Sequence, residues 1–173
     1  MRQHNRKSIR LKGYDYSSPG EYFVTVCTYN HGCLFGNIID ENMRLSEIGR
    51  IAEQCWKELP AKFINVILDE YIIMPNHIHG IIIINECRDL INQIPTKNFP
   101  LMQNPKITLG KILRNFKART SKCIHDSGYT EFQWQSRFYE HIIRNDKELN
   151  NIRDYIINNP IKWSFDIEYP DNQ

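Results

Sequence analysis

Apolar positions along the chain switch between a spacing of two and a spacing near 3.6, and the switches mark its elements. Residues 21–29, with Tyr22, Phe23, Val24, Val26 and Tyr29, have the β-branched and aromatic content of a strand, and residues 32–42 read as a loop or a short hairpin. Ser46 is a helix cap, after which Ile48, Ile51, Ala52, Cys55 and Leu59 recur at helical spacing until Pro60 ends the helix. Residues 63–74 form the next strand. Pro75 and Asn76 turn it into a second run, His77-Ile78-His79-Gly80-Ile81-Ile82-Ile83-Ile84, so the two should pair as an antiparallel hairpin. Residues 86–106 hold Pro95, Pro100 and Pro105 without a period and read as a long, mobile loop, whereas residues 108–124 return to a helical stripe of Leu109, Ile112, Leu113, Phe116, Thr120 and Cys123. A last strand is expected over 133–144. Asn145 then caps a final helix whose buried stripe is Leu149, Ile152 and Ile156, and Asn159-Pro160 stops it.

The order strand, helix, strand, strand, helix, strand, helix is a split βαβ pattern. It predicts an α+β, ferredoxin-like antiparallel sheet with helices packed on one face, in a single domain spanning 1–173 with the histidine strand inside the sheet. Hydrophobic content of 41% with 24% charged residues is ordinary globular usage, and the longest apolar runs are far too short to cross a bilayer, which argues against a membrane partner. Five scattered cysteines with no C-x-x-C pair point to reduced packing thiols in a cytoplasmic protein.

Net charge is only +2, but the cations are gathered. A basic arm over 1–20 carries Arg2, Arg6, Lys7, Arg10 and Lys12, and residues 106–125 carry Lys106, Lys111, Arg114, Lys117, Arg119 and Lys122 with no acid. On the second helix these cations oppose the apolar stripe. Such a face is either simply solvated or follows a phosphate backbone.

Chemistry concentrates at His77 and His79. One residue apart on a strand, the two imidazoles share a face and form half of a coordination shell for a divalent ion. On the last helix Tyr155 and Asn159 lie four apart, one above the other, beside the buried stripe. A tyrosine hydroxyl can act as a covalent nucleophile and an amide oxygen as a hard-metal ligand; by pattern alone, the plainer readings, Tyr155 as a core-edge aromatic and Asn159 as a helix terminator, outweigh these.

The segment Pro75-Asn76-His77-Ile78-His79-Gly80 resembles the His-hydrophobic-His motif of the IS200-like, single-tyrosine transposases among the HUH endonucleases. The arm from Arg6 to Tyr16, the strand Tyr22 to Thr28, and Trp134-Gln135 together with Tyr155 to Trp163 are similar to the REP-associated tyrosine transposases. This resemblance implies a ferredoxin-like domain that cleaves and rejoins single-stranded DNA near palindromic hairpins through a 5′-phosphotyrosine intermediate. It implies Mg²⁺ or Mn²⁺ held by His77, His79 and Asn159, with Tyr155 as nucleophile and Tyr139 as the alternative. Single-stranded or hairpin DNA would be the partner of a DNA-associated protein, met by Arg6, Lys7, Arg10, Lys12, Tyr14, Lys111, Arg114 and Lys117. Monomer and homodimer both stay open. His125 and His141 are candidates, by residue type only, for a general base. The alternative is a catalytically silent hairpin-DNA-binding protein of the same fold; a water-using metal hydrolase and a replication initiator are more distant readings.

Overall fold

The computed structural model describes residues 13–86, 107–166 and 168–170. Strand β1 (Gly20–Cys27) leads through a 3-10 turn, Tyr29–His31, into a small hairpin of β2 (Gly36–Ile39) and β3 (Asn42–Leu45). The region expected as a loop or short hairpin is thus a hairpin that extends to Leu45. Its two turn residues, Asp40 and Glu41, have φ of 50° and 61°, the left-handed pair that a tight turn between twisted strands requires.

Helix α1 (Glu47–Lys57) begins where expected, with Ser46 Oγ accepting from Gly49 N at 3.0 Å. Pro60 does not end it. The chain pauses at Glu58 and enters a one-turn helix, α2 (Leu59–Lys62), with the proline in its first turn, where a missing N–H costs nothing. Strands β4 (Val66–Ile73) and β5 (His77–Ile84) then form the expected hairpin, with an irregularity between Leu68 and Tyr71. Helix α3 (Leu109–Asp126) is capped by Thr108, β6 spans Tyr139–Ile143, and α4 (Asp146–Ile157) is capped by Asn145. Strand β6 is shorter than expected; residues 133–138 leave only a bridge from Trp134 to Thr28.

The main sheet has the order β4-β5-β1-β6 with every pairing antiparallel, so β1-α1-β4-β5-α3-β6 is a ferredoxin-like unit with the histidine strand internal. Tyr22, Val24 and Val26 of β1 and Ile78, Ile82 and Ile84 of β5 face one way, into a core with Trp56 of α1 and Ile112, Leu113 and Phe116 of α3. Phe23, Ile81 and Ile143 face the other way and pack on Leu149 and Ile156 of α4. Packing on one face therefore holds for α1 and α3 but not for α4. Both faces of the central strands are apolar, and the second needs its own cover.

Gly80 sets how closely α1 approaches the sheet. It faces Trp56, and a Cβ there would lie 2.5 Å from Trp56 Cζ2. Because the indole is fully buried, it cannot swing aside. Gly80→Ala should lower the free energy of unfolding by about 1–3 kcal/mol, seen as a lower urea midpoint at unchanged slope.

Candidate active site

Antiparallel register sets His79 opposite Thr25 and His77 opposite Cys27. Directly paired residues share a face. Both histidines therefore sit on the α4 side of the sheet, buried, with ring centroids 4.2 Å apart. Nδ1 of each ring is engaged: that of His77 lies 2.8 Å from Asn76 Oδ1, and that of His79 2.9 Å from Thr25 Oγ1. Asn76 Nδ2 donates to His31 O and Glu168 O, which orients its oxygen toward His77 and assigns the His77 proton to Nδ1. Nε2 of His77 is left as an acceptor, buried and without a partner. Burial, reinforced by the neighbouring His79, holds His77 well below the usual histidine range, so it is neutral at pH 7.

Helix α4 crosses this face and delivers the other half of the site. Arg153 grips Asp69 of β4 with two hydrogen bonds, of 2.8 and 2.6 Å, a bidentate contact that orients the helix. Two residues on, Tyr155 Oη lies 3.1 Å from His79 Nε2 and donates to Asp166 Oδ2, also at 3.1 Å. Asn159 Nδ2 donates to the same carboxylate oxygen at 2.7 Å, while its Oδ1 is buried and unpartnered. The four residues expected to share a site, His77, His79, Tyr155 and Asn159, are thus brought together around a carboxylate that sequence reasoning missed. Asp166 lies in a short tail with no hydrophobic period, seven residues beyond Asn159, and carries no motif signal.

The electrostatics are those of a closed hydrogen-bonded cluster. Burial alone would raise the Asp166 carboxyl, but the His79 ring, 3.8 Å away, and hydrogen bonds from the Glu168 N–H and the Asn159 amide hold it well below the usual carboxylate range. Tyr155 moves the opposite way: burial first, then the adjacent Asp166 charge, pushes its phenol far above the ordinary value. His77, His79 and Asp166 offer ligand atoms within 4.8 Å of one another. Two imidazoles, a carboxylate and a spare amide oxygen fit a divalent cation, and the two orphaned buried acceptors, His77 Nε2 and Asn159 Oδ1, are the observation that favours that fit.

The other expected residues divide. Tyr139 is on the same sheet face, opposite Thr25, but its exposed ring meets Phe23 at 6.3 Å. Nε2 of His125 lies 2.9 Å from Phe132 O and Nε2 of His141 2.7 Å from Glu148, whereas the carboxylate that accepts from Tyr155 is Asp166. Lys111 and Arg114 are exposed on α3. Lys117 instead bends under, donating to the carbonyls of Gln135 and Arg137, and burial lowers its amine to about 8. Tyr14 packs in a cluster with Tyr16 and Tyr22. Arg6, Lys7, Arg10 and Lys12, and the expected loop over 86–106 apart from Glu86, lie outside the described residues. No helix among the described residues is long and apolar enough to cross a membrane.

Fold and site together define a ferredoxin-like domain with a buried histidine pair facing a helix-borne tyrosine. Over 177 aligned residues the chain is 42% identical to an uncharacterized protein of Haemophilus influenzae, covering 97% of this chain and 95% of that one. It belongs to the same family as that protein. A second Haemophilus influenzae protein, which carries the provisional name REP-associated tyrosine transposase, is 36% identical over 93 residues, covering 54% of this chain and 48% of its own length. Among solved structures, a REP-associated tyrosine transposase bound to a REP hairpin superposes with a TM-score of 0.61 at 20% identity, over 91% of this chain and 76% of that one, and so shares the fold. No protein-family model matches the sequence.

Lys117 separates a structural cation from exposed ones. Lys117→Met should cost about 1–2 kcal/mol of stability, because the part-buried Gln135 carbonyl and that of Arg137 lose their donor. Lys111→Ala should stay within about 0.5 kcal/mol of the parent in the same denaturant titration.

Proposed function

We propose that this protein is a REP-associated, IS200-like tyrosine transposase, which cleaves and rejoins single-stranded DNA at palindromic hairpins with Tyr155 as nucleophile. The observation that carries this reading is the meeting of Tyr155 Oη with His79 Nε2 at 3.1 Å across a sequence separation of 76 residues. A core-edge tyrosine has no reason to place its hydroxyl on a buried histidine pair with two unsatisfied acceptors beside it. The names of the partial relative and of the hairpin-bound structural neighbour agree with it.

His77, His79 and Asn159, joined by Asp166, would hold Mg²⁺ or Mn²⁺. When bound, such an ion supplies positive charge against the non-bridging oxygens of a scissile phosphate and offsets the Asp166 charge that now keeps Tyr155 protonated. Tyr155 Oη, its proton released to solvent, attacks phosphorus in line. The bond to the 3′-oxygen breaks, leaving a 5′-phosphotyrosine and, after protonation by solvent, a free 3′-hydroxyl. Because one phosphodiester replaces another, a second 3′-hydroxyl can reverse the step and join strands without a nucleotide cofactor. Thr25 and Asn76 orient the two rings from their far nitrogens. Tyr155 is 42% exposed, so its ring edge is open to a strand from solvent, and Lys111 and Arg114, with the basic arm, supply phosphate contacts.

Incubated with single-stranded hairpin oligonucleotides and Mg²⁺ or Mn²⁺, the protein should form a denaturation-resistant DNA adduct. Tyr155→Phe should abolish it and Tyr139→Phe should retain it; the reverse result would transfer the nucleophile to Tyr139. His77→Ala and His79→Ala should each lose cleavage while hairpin affinity, measured by gel shift, changes less than about tenfold. An adduct-free protein that binds hairpins with or without Tyr155 would instead mark the silent binding module.

Thr25→Val removes the partner of His79 Nδ1 without changing side-chain shape. It should weaken Mn²⁺ binding about 10- to 100-fold in calorimetric titration. Unchanged affinity would show that His79 is not held for a metal.

A further inference from the structure

We infer that the protein has a second metal site, built from Cys27, His31 and Glu168, for a thiophilic transition ion such as Zn²⁺. Cys27 Sγ, a His31 ring nitrogen and a Glu168 carboxylate oxygen all lie within 4.8 Å of one another. They come from three places: the buried end of β1, the 3-10 turn that follows it, and the segment beyond Asp166. Zn²⁺ bonds to sulfur at about 2.3 Å and to nitrogen or oxygen at about 2.0–2.2 Å, so tetrahedral ligands sit roughly 3.3–3.6 Å apart. The His31 and Glu168 ligand atoms, 3.0 Å apart, are already near that spacing, and Cys27 Sγ lies within 4.8 Å of both.

Two details set this cluster apart from an ordinary polar contact. Nδ1 of His31 is buried and lies 3.0 Å from Glu168 Oε2, yet it makes no well-aligned hydrogen bond, as expected where two ligand atoms converge on a common point. The backbone is also shaped for it: Asn30 and His31 both adopt left-handed conformations, with φ of 51° and 52°, and carry the His31 ring in toward Glu168. The far nitrogen of that ring, Nε2, lies 2.6 Å from the Gln135 side-chain amide. With the amide turned over, its oxygen accepts from Nε2–H and leaves the Nδ1 lone pair for the ion, the usual arrangement behind a metal-bound histidine. Burial and the Glu168 carboxylate keep the Cys27 thiol protonated in the free protein. Metal binding would release that proton to solvent, the Cys27 thiolate–metal bond forming as the S–H bond breaks.

The donor set distinguishes this site from the histidine pair. Sulfur, imidazole and carboxylate favour Zn²⁺ or Co²⁺, whereas two imidazoles and oxygens serve Mg²⁺ or Mn²⁺. The two are mechanically joined, because Glu168 lies two residues from Asp166, and Asn76, the partner of His77, donates to Glu168 O. An ion at Cys27, His31 and Glu168 would pin the segment that presents Asp166 to Tyr155. The inference stands on its own ligands and does not depend on the DNA chemistry.

The test is Co²⁺ titration of the full chain under reducing conditions, read by absorption. One equivalent should develop a near-ultraviolet thiolate-to-cobalt band, which Zn²⁺ then displaces and excess Mg²⁺ does not. The band should disappear in Cys27→Ser, persist in Cys33→Ser, and need at least about tenfold more Co²⁺ in Glu168→Gln. Glu168 is half-buried, so Glu168→Gln decides the matter if the buried Cys27→Ser variant fails to fold. Absence of the band in the parent protein, or a band that Glu168→Gln leaves unchanged, would overturn the site.

Discussion

The pairing of β1 with β5 is the constraint on which the rest of the molecule depends. Its register sets Thr25 against His79 and Cys27 against His77, and the strand period of two sends these four side chains to one face while Ile78, Gly80 and Ile82 go to the other. A slip of one residue would exchange them, driving two imidazoles into the core around Trp56. The apolar face is closed so tightly, with Gly80 against the indole, that such a slip has no room. Core packing on one side of the sheet thus fixes functional geometry on the other.

The α4 side carries the corresponding cost. Burying polar groups is tolerated when each is hydrogen-bonded, and here most are: Asn76, Thr25, Tyr155 and the Asp166 carboxylate form a continuous set. Nε2 of His77 and Oδ1 of Asn159 are two exceptions, and each such orphan costs about 1–3 kcal/mol. Local destabilisation of this kind collects where a site awaits a ligand. The same segment, 166–168, supplies a carboxylate to this cluster and another to the Cys27 and His31 cluster, so both depend on how the end of the chain folds back.

Most of the fold was legible because it rests on period. Helix α1 announces itself by Ser46 and its stripe, β5 by its run of isoleucines, and α4 by Asn145 and its acidic first turn; all begin within a residue or two of where the pattern places them. Errors arose where a local rule met a tertiary one. Pro60 reads as a stop but serves as the first turn of α2, and the aromatic content of residues 133–138 reads as strand although that stretch is a loop whose carbonyls Lys117 holds. Lys117 itself reads as a phosphate contact because a helical wheel places it away from the stripe, yet its long side chain reaches back under the helix.

The sequence by itself determined that the two histidines share a face and that Tyr155 and Asn159 share another, since both follow from the periods of strand and helix. It also determined the antiparallel, ferredoxin-like order of elements. Only the tertiary structure decided that α4 crosses the sheet on the histidine side rather than beside α1 and α3, because that depends on which face of the sheet remains uncovered once the first core has closed. Only the tertiary structure, too, brought Asp166 and Glu168 to the site. They lie in a tail without period, held by hydrogen bonds to Asn159 and Asn76, and contacts between residues far apart in the chain leave no trace in local spacing.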